Sequence, residues 1–326
     1  MKKRLLSLLV CLCLLSVCGC ATELFSEGQG ELKIVASSFP AFDLARQIAG
    51  DSATVTLLQS SGADLHNYTP SPQALSALTE ADVFICNGGV SDELWLSQTL
   101  LAADNPDLII IKMLDHAEPV HAELESHNES SYCLANHTHA AHDHEHSEDD
   151  GHTADEHVWM SIKTMIKVVC EIARSCSTIA PANADLYQTR ASEYAAALTE
   201  LDAEYELTVA ASTTKTIVCA DRFPFSYLTR DYGICHFSAF SGCSSESEAA
   251  FDTFVKLANA IVENQKDFVL ITETGDSELS DALEKQTGCK TLVLNSMQSV
   301  SRSDIKNGAT YLKIMKENLI ALRSAL

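Results

Sequence analysis

From Leu32 onward, short runs of β-branched and aliphatic residues alternate with longer stretches whose apolar positions recur every three or four residues. "LKIVAS" (32–37), "ATVTLLQ" (53–59), "DVFICN" (82–87) and "DLIIIKML" (107–114) read as strands, bounded by turn residues. Between them, "PAFDLARQIAG" (40–50) and "DELWLSQTLLAA" (92–103) read as helices, the first stopped by Gly50. In "TPSPQALSALTEA" (69–81) Ser71 is the expected N-cap and Pro72 a first-turn residue, where a missing N–H costs nothing. A helical pattern resumes at "VWMSIKTMIKVVCEIARSC" (158–176). In the next segment Tyr187, Ala191, Tyr194, Leu198, Leu201 and Tyr205 form a single stripe along one long helix. Alternation then restarts with "TIVCA", "FPFSYLTRDYG", "CHFSAF", "SEAAFDTFVKLANAIVENQ", "DFVLITE", "ELSDALEKQTG", "TLVLNS" and "TYLKIMKENLIALRSAL". Strand-helix alternation of this kind predicts an α/β protein of two lobes, each a mostly parallel sheet flanked by helices, joined by one long rigid helix. The expected boundaries are 32–180 for the first lobe, 181–213 for the linking helix and 214–326 for the second lobe. Open α/β sheets bind ligands beyond the carboxyl ends of their strands, so two facing lobes imply a cleft between them.

Periodicity fails from about 115 to 156. This stretch is polar and acidic and holds nine of the 12 histidines in the chain. Its end, "HTHAAHDHEHSEDDGHTADEHVW" (137–159), carries seven histidines in 23 positions. Imidazole is the commonest protein ligand for transition metals, and the composition reads as metal-binding. Charge points the same way. The formal net charge is -23, a field that gathers cations and repels nucleic acid and anionic lipid.

The first 20 residues read as a leader. "MKKR" is a positive n-region, and "LLSLLVCLCLLSV" is an apolar run short for a membrane span. The run ends in "VCGC", which resembles the lipobox of bacterial lipoproteins and makes Cys20 the expected lipidated residue. Residues 21–31, "ATELFSEGQGE", are then expected to be a tether. None of the 12 cysteines forms CxxC, which removes zinc ribbons and thioredoxin-type chemistry. Cys86 and Cys219 lie in apolar runs and are expected to act as small buried hydrophobes; the remaining pairings stay open.

Three histidines stand out from the loop's run. His66, in "GADLHNYTPSP", follows a strand and precedes the helix capped at Ser71. His157, in "DEHVWM", sits where the loop meets a structured helix. His236, in "GICHFSAF", falls within a strand pattern and is expected to be structural.

The chain from about Leu32 to its C-terminus resembles the metal-binding receptors of bacterial ABC importers, the zinc and manganese cluster typified by the high-affinity zinc uptake receptor. The resemblance rests on "GADLHNYTPSPQALSALTEADVFICNGG", "DEHVWMS" behind a His- and acid-rich loop, the long helix, and "GATYLKIMKENL". It implies His66 and His157 as metal ligands and two lobes that close little on their ligand. It also implies capture of Zn²⁺, with Mn²⁺ as the alternative, for an ABC permease and its ATPase in the cytoplasmic membrane, with no catalysis. The protein is then expected to be a monomer, lipid-anchored to the outer face of that membrane.

Two positions depart from the family pattern. Where zinc members carry a third His, in a segment similar to "ADRFPFSYL", this chain has Arg222; guanidinium has no lone pair to donate. Where the family commonly has an Asp near the end of the last strand, "LVLNS" offers Asn295. Tetrahedral zinc takes about four donors, so the shell needs another. Candidates are Glu273 in "LITETGD", Asp221, water, or a loop histidine, and Glu273 is favoured; its alternative role is partner to a histidine N–H. Arg222 is expected to pair with Asp221 or Glu248, or to grip an anion. His137, His139, His142, His144, His146 and His152 form an auxiliary loop that gathers metal.

Other classes remain in view. A zinc hydrolase would need an open coordination position and a general base, and HExxH is absent. A surface metal-storage protein or adhesin would need only the loop. A diverged receptor would use Arg222 to recognise an anionic or chelated ligand.

Overall fold

The computed structural model describes residues 24–58, 68–120, 155–241 and 250–326. His66, the six histidines of the auxiliary loop, Cys20 and Glu248 lie outside them.

Two sheets carry the fold. The first has strands β1 (Phe25–Glu27), β2 (Leu32–Ala36), β3 (Ala53–Leu57), β4 (Val83–Cys86) and β5 (Ile109–Lys112), in the order β1-β3-β2-β4-β5. The second has β6 (Thr216–Phe223), β7 (Cys235–Ser241), β8 (Phe268–Ile271) and β9 (Lys290–Val293), in the order β7-β6-β8-β9. All pairings are parallel except β1 with β3. The interior parallel strand β4 (VFIC) of the first sheet is a continuous apolar run because both its faces are covered. All four of its side chains are buried.

The helices follow the sequence pattern closely: α1 (Phe39–Ala49), α2 (Pro72–Thr79), α3 (Val90–Ala103), α4 (Ile162–Ile179) and α5 (Ala184–Ala211), then α6 (Ser226–Tyr232), α7 (Phe251–Glu263), α8 (Ser277–Thr287), α9 (Arg302–Lys306) and α10 (Tyr311–Ala325). Ser71 caps α2 as expected, its side chain accepting the Ala74 N–H at 3.1 Å. Ser161 caps α4 in the same way, through the Thr164 N–H.

One expectation changes. Phe25–Glu27, read as part of a tether, form β1, an antiparallel edge strand with Phe25 opposite Leu57. The reason is local. Phe25 is buried and packs against Phe42 at 5.7 Å between ring centroids, and Glu27 accepts a hydrogen bond from Arg46 at 2.8 Å. Three residues are too few to show a period.

The 28 residues of α5 span about 42 Å at 1.5 Å per residue. The helix is packed along its length: Tyr187, Ala191, Leu198, Leu201, Tyr205 and Val209 are buried on one stripe. Near one end Ser52 donates to the Tyr187 hydroxyl (3.1 Å) and Arg190 donates to the Ala49 carbonyl (2.7 Å). Gly50 beside it sits at φ 54° and ψ -140°, a backbone conformation that residues with a side chain rarely adopt. Toward the other end Tyr205 donates to the Met315 carbonyl in α10 at 2.7 Å. One hydrophobic core, running from Phe25 to Ala325, therefore crosses both lobes through α4, α5 and α10. Two smaller clusters lie under α2 and α3 and under α7 and α8.

A second tie joins the lobes. Asp43 in α1 is fully buried, accepts the Tyr311 N–H at the start of α10 (2.7 Å), and accepts from Arg46 Nε (2.7 Å). Arg46 also donates to the Ala309 carbonyl at 2.9 Å. Burial pushes the Asp43 carboxyl up, against the pull of the adjacent guanidinium. Removing one member of a buried charged pair leaves the other uncompensated. Asp43→Ala is expected to lower unfolding free energy by about 3 kcal/mol, read from urea denaturation. A loss under ~0.5 kcal/mol, the range of an ordinary surface substitution, would show that the tie contributes little.

Candidate functional site

The site is built where the long loop rejoins the fold. Asp155 N–H donates to the Val120 carbonyl at 2.6 Å, so the two ends of the segment meet beyond β5. Across the lobe boundary, the Tyr227 hydroxyl of α6 donates to the Asp155 carbonyl at 3.0 Å. The Asp155 carboxylate then turns back on its own chain. Oδ1 accepts the His157 N–H at 2.8 Å and lies 2.7 Å from His157 Nδ1.

His157 is fully buried and Asp155 nearly so. Burial alone would raise the Asp155 carboxyl, but the His157 charge, its hydrogen bonds and one from Ser226 hold it below the ordinary carboxylate range. A carboxylate at Nδ1 is the arrangement that orients a histidine to face a metal ion through Nε2.

Glu156 points elsewhere. Its Oε1 accepts the Ser91 N–H in the first turn of α3 at 2.7 Å, satisfying one of the helix's unpaired N-terminal donors. Gly89 makes this approach possible, since a Cβ there would lie 2.5 Å from Glu156 Cγ. The same turn holds Asp92, whose Oδ2 accepts the Gly88 N–H at 2.8 Å.

In the second lobe Glu273 lies just beyond the carboxyl end of β8. Its Oε2 accepts the Ser296 N–H at 2.7 Å; Oε1 accepts the Ser296 hydroxyl at 2.8 Å and the Gln298 N–H at 3.2 Å. Glu273 and Asn295 both line a cleft of about 390 Å³ against α9 and α10. The Asn295 side-chain oxygen accepts the Met297 N–H at 2.8 Å.

Asp221 also accepts three hydrogen bonds. One oxygen accepts the Arg222 N–H at 2.8 Å, and the other accepts both the N–H (3.1 Å) and the hydroxyl of Thr272. Arg222 itself lies within β6, at a register shift between Cys219 and Arg222 against β7. Its contact with Asp221 runs through the backbone, and its guanidinium makes no ion pair within the described residues. The expected Arg222–Asp221 ion pair is therefore absent.

His236 sits in β7, stacked on Phe223 at 3.8 Å between ring centroids. Burial, with Lys256 nearby, pushes it down to about 4, as suits a packed structural histidine. Cys86 and Cys219 are fully buried, and burial raises both thiols well above their usual range. Cys235 is disulfide-bonded.

The structure thus buries His157 beside Asp155, which the second lobe's Tyr227 contacts, and sets Glu273 in a cleft lined by second-lobe residues. Among the described residues no three His, Cys, Asp or Glu side chains converge to hold a metal. Asp155 is the partner of His157 that sequence reading passed over. Its signal was the spacing Asp-x-His in "ADEHVW", which lets a carboxylate reach back to the ring two residues on.

These features define a two-lobed binding protein with a buried, carboxylate-oriented histidine between its lobes. The family model of zinc-uptake complex component A periplasmic, ZnuA, matches residues 34–325, and the chain belongs to that family. It is 29% identical over 322 residues to the zinc-binding lipoprotein AdcA of Streptococcus pneumoniae R6, covering 98% of this chain and 60% of that protein. It is 26% identical over 318 residues to the high-affinity zinc uptake system protein ZnuA of Bacillus subtilis, covering 97% and 95%. The chain thus spans well under two thirds of the AdcA relatives it matches and nearly all of the B. subtilis protein. Among solved structures, the Zn(II)-bound ZnuA-like domain of S. pneumoniae AdcA superposes with a TM-score of 0.70 at 27% identity, covering 91% of this chain and 99% of that one.

The turn beneath the site carries a pH dependence. Burial pushes Asp92 up from the ordinary carboxylate range to about 6, with Glu156 adding in the same direction. A raised carboxyl favours the protonated fold, so this contribution is present below about 4 and lost as pH rises through about 6. Asp92→Asn removes the charge and keeps an acceptor for Gly88. It should raise the melting temperature relative to wild type more at pH 7.5 than at pH 4. Equal differences at both pH values would mean that Asp92 titrates alike in the folded and unfolded chain.

Proposed function

We propose that the protein is an extracytoplasmic receptor that captures a divalent transition metal, zinc ahead of manganese, and delivers it to the permease of an ABC importer. The observation that carries this reading is the buried Asp155–His157 pair at the lobe junction. A carboxylate behind the ring fixes its tautomer and raises its basicity as a ligand. Family membership supports the transport role, and the names of the relatives, a zinc-binding lipoprotein and a zinc uptake protein, support the metal and the lipid anchor.

In this reading His66 and His157 supply two nitrogens and Glu273 an oxygen. Glu273 accepts three hydrogen bonds, which leaves about one lone pair for an ion from the roughly four that a carboxylate offers. Imidazole favours zinc and carboxylate favours manganese, so a two-histidine set leans to zinc. The auxiliary loop, from His137 to His152, gathers metal and hands it on to that site. Cys20 carries the lipid that holds the protein, as a monomer, on the outer face of the cytoplasmic membrane. The cycle is capture and release, with no chemical step.

The test is calorimetric titration with Zn²⁺ and Mn²⁺ of a protein lacking residues 121–152. One tight zinc site should remain, and it should vanish in His66→Ala and in His157→Ala. Loss of nearly all zinc binding on loop deletion would make the protein a metal store. In the same protein Asp155→Asn should weaken zinc about 10- to 100-fold.

A second reading follows from Arg222, which is partly buried and without an ion pair among the described residues. A guanidinium beside a divalent cation is repelled unless an anion lies between them, so the ligand would be a metal with a bound carboxylate or carbonate. Arg222→His separates the two. In the first reading it adds a donor and tightens zinc in anion-free buffer about tenfold or more. In the second, wild type needs added bicarbonate for full affinity and the variant does not.

A further inference from the structure

Trp159 lies two residues beyond His157, in a short turn of 3-10 helix (Val158–Met160), and is almost wholly buried. The His157 ring meets the indole at 5.4 Å between centroids and 73°, a T-shaped contact. The indole Nε1–H reaches across to the second lobe and donates to the Ser296 carbonyl at 2.8 Å. Trp159's own carbonyl accepts the Tyr311 hydroxyl at 2.8 Å. The side chain that packs on the histidine is thus bonded to the other lobe at both its indole and its backbone.

What it grips is the loop that holds Glu273. Ser296 N–H, Ser296 Oγ and Gln298 N–H all donate to that carboxylate. The loop is otherwise over-determined. Asn295 exchanges two hydrogen bonds with Asn318 (2.8 Å each), and its side chain accepts the Met297 N–H. Met297 is buried and left-handed at φ 60°, a conformation that a bulky residue keeps only where its surroundings impose it. The Ser296 carbonyl faces the first lobe from the centre of this turn. One rigid, directional donor therefore registers the His157 ring against the Glu273 carboxylate.

We infer that Trp159 is a positioning residue: its indole N–H, through the Ser296 loop, holds Glu273 at the distance from His157 that a metal ion requires, and so sets how slowly the ion is released. This rests on the reading of His157 and Glu273 as metal ligands. Without the N–H, the buried Ser296 carbonyl loses its partner, a penalty that relaxation of the loop relieves at the expense of Glu273's placement.

The experiment uses the full chain loaded with one equivalent of Zn²⁺, with release to a chromogenic chelator followed by stopped flow. Trp159→Phe keeps the ring and loses the donor. It should speed release about tenfold. In a Glu273→Gln background the same substitution should change release less than twofold, because the group it acts through has already been weakened. A structural role alone would speed release equally in both backgrounds, and that result overturns the inference, as does unchanged release in the single variant. Should Trp159→Phe fail to fold, Ser296→Ala, which removes the hydroxyl bond to Glu273, must speed release in wild type and not in Glu273→Gln. Trp95 and Trp159 are the only tryptophans in the chain, so Trp95→Phe leaves one indole beside His157. Its emission should change on adding Zn²⁺ and should not change in the further variant His157→Ala. A protein whose sole indole ignores zinc and which binds none tightly would sink the receptor reading itself, a result distinct from tight binding with unaltered release.

Discussion

Continuity of the hydrophobic core across both lobes is the constraint on which the rest of the structure depends. Two α/β units with separate cores would be free to hinge. Here the buried stripe of α5, together with α4 and α10, makes one interior from residues at both ends of the chain. Tyr187 secures that helix to the first lobe and Tyr205 to the second, each through its hydroxyl as well as its ring. The Asp43–Tyr311 bond adds a tie at a different point. Lobes tied in this way hold the groups at their junction at nearly fixed separation.

Much of this was legible in the residues. Strand and helix types followed from periodicity, the cap of α2 from Ser71, and the two-sheet architecture from alternation. The stripe from Tyr187 to Tyr205 showed the long helix. Its role as a packed spine needed both lobes in place, since one-sided periodicity does not say what covers the face. β1 was invisible because its evidence is two side chains, Phe25 and Glu27, whose partners Phe42 and Arg46 lie far along the chain.

The site was legible by residue type and only partly by arrangement. His157 stood out because it closes the histidine-rich stretch at the start of regular structure. Asp155 did not, being one of many acids in a segment crowded with them. Glu273 was chosen for its place at a strand end, and its three hydrogen bonds come from a turn some 23 residues away, beyond what spacing can reveal. Asp221 looked equivalent on the same grounds and likewise accepts three hydrogen bonds, from Thr272 and the Arg222 backbone. Spacing could not say which of the two carboxylates lines the cleft beside Asn295; Glu273 does.

The edge strand β1 has a consequence for geometry at the cell surface. If Cys20 bears the lipid, only the residues between it and Phe25 separate the acyl chains from the folded body, a leash of at most about 14 to 18 Å when fully stretched. A receptor held so close samples a thin shell above the bilayer and few orientations. Its encounter with a membrane-embedded partner then becomes a search in two dimensions at high effective concentration, governed by where β1 leaves the sheet.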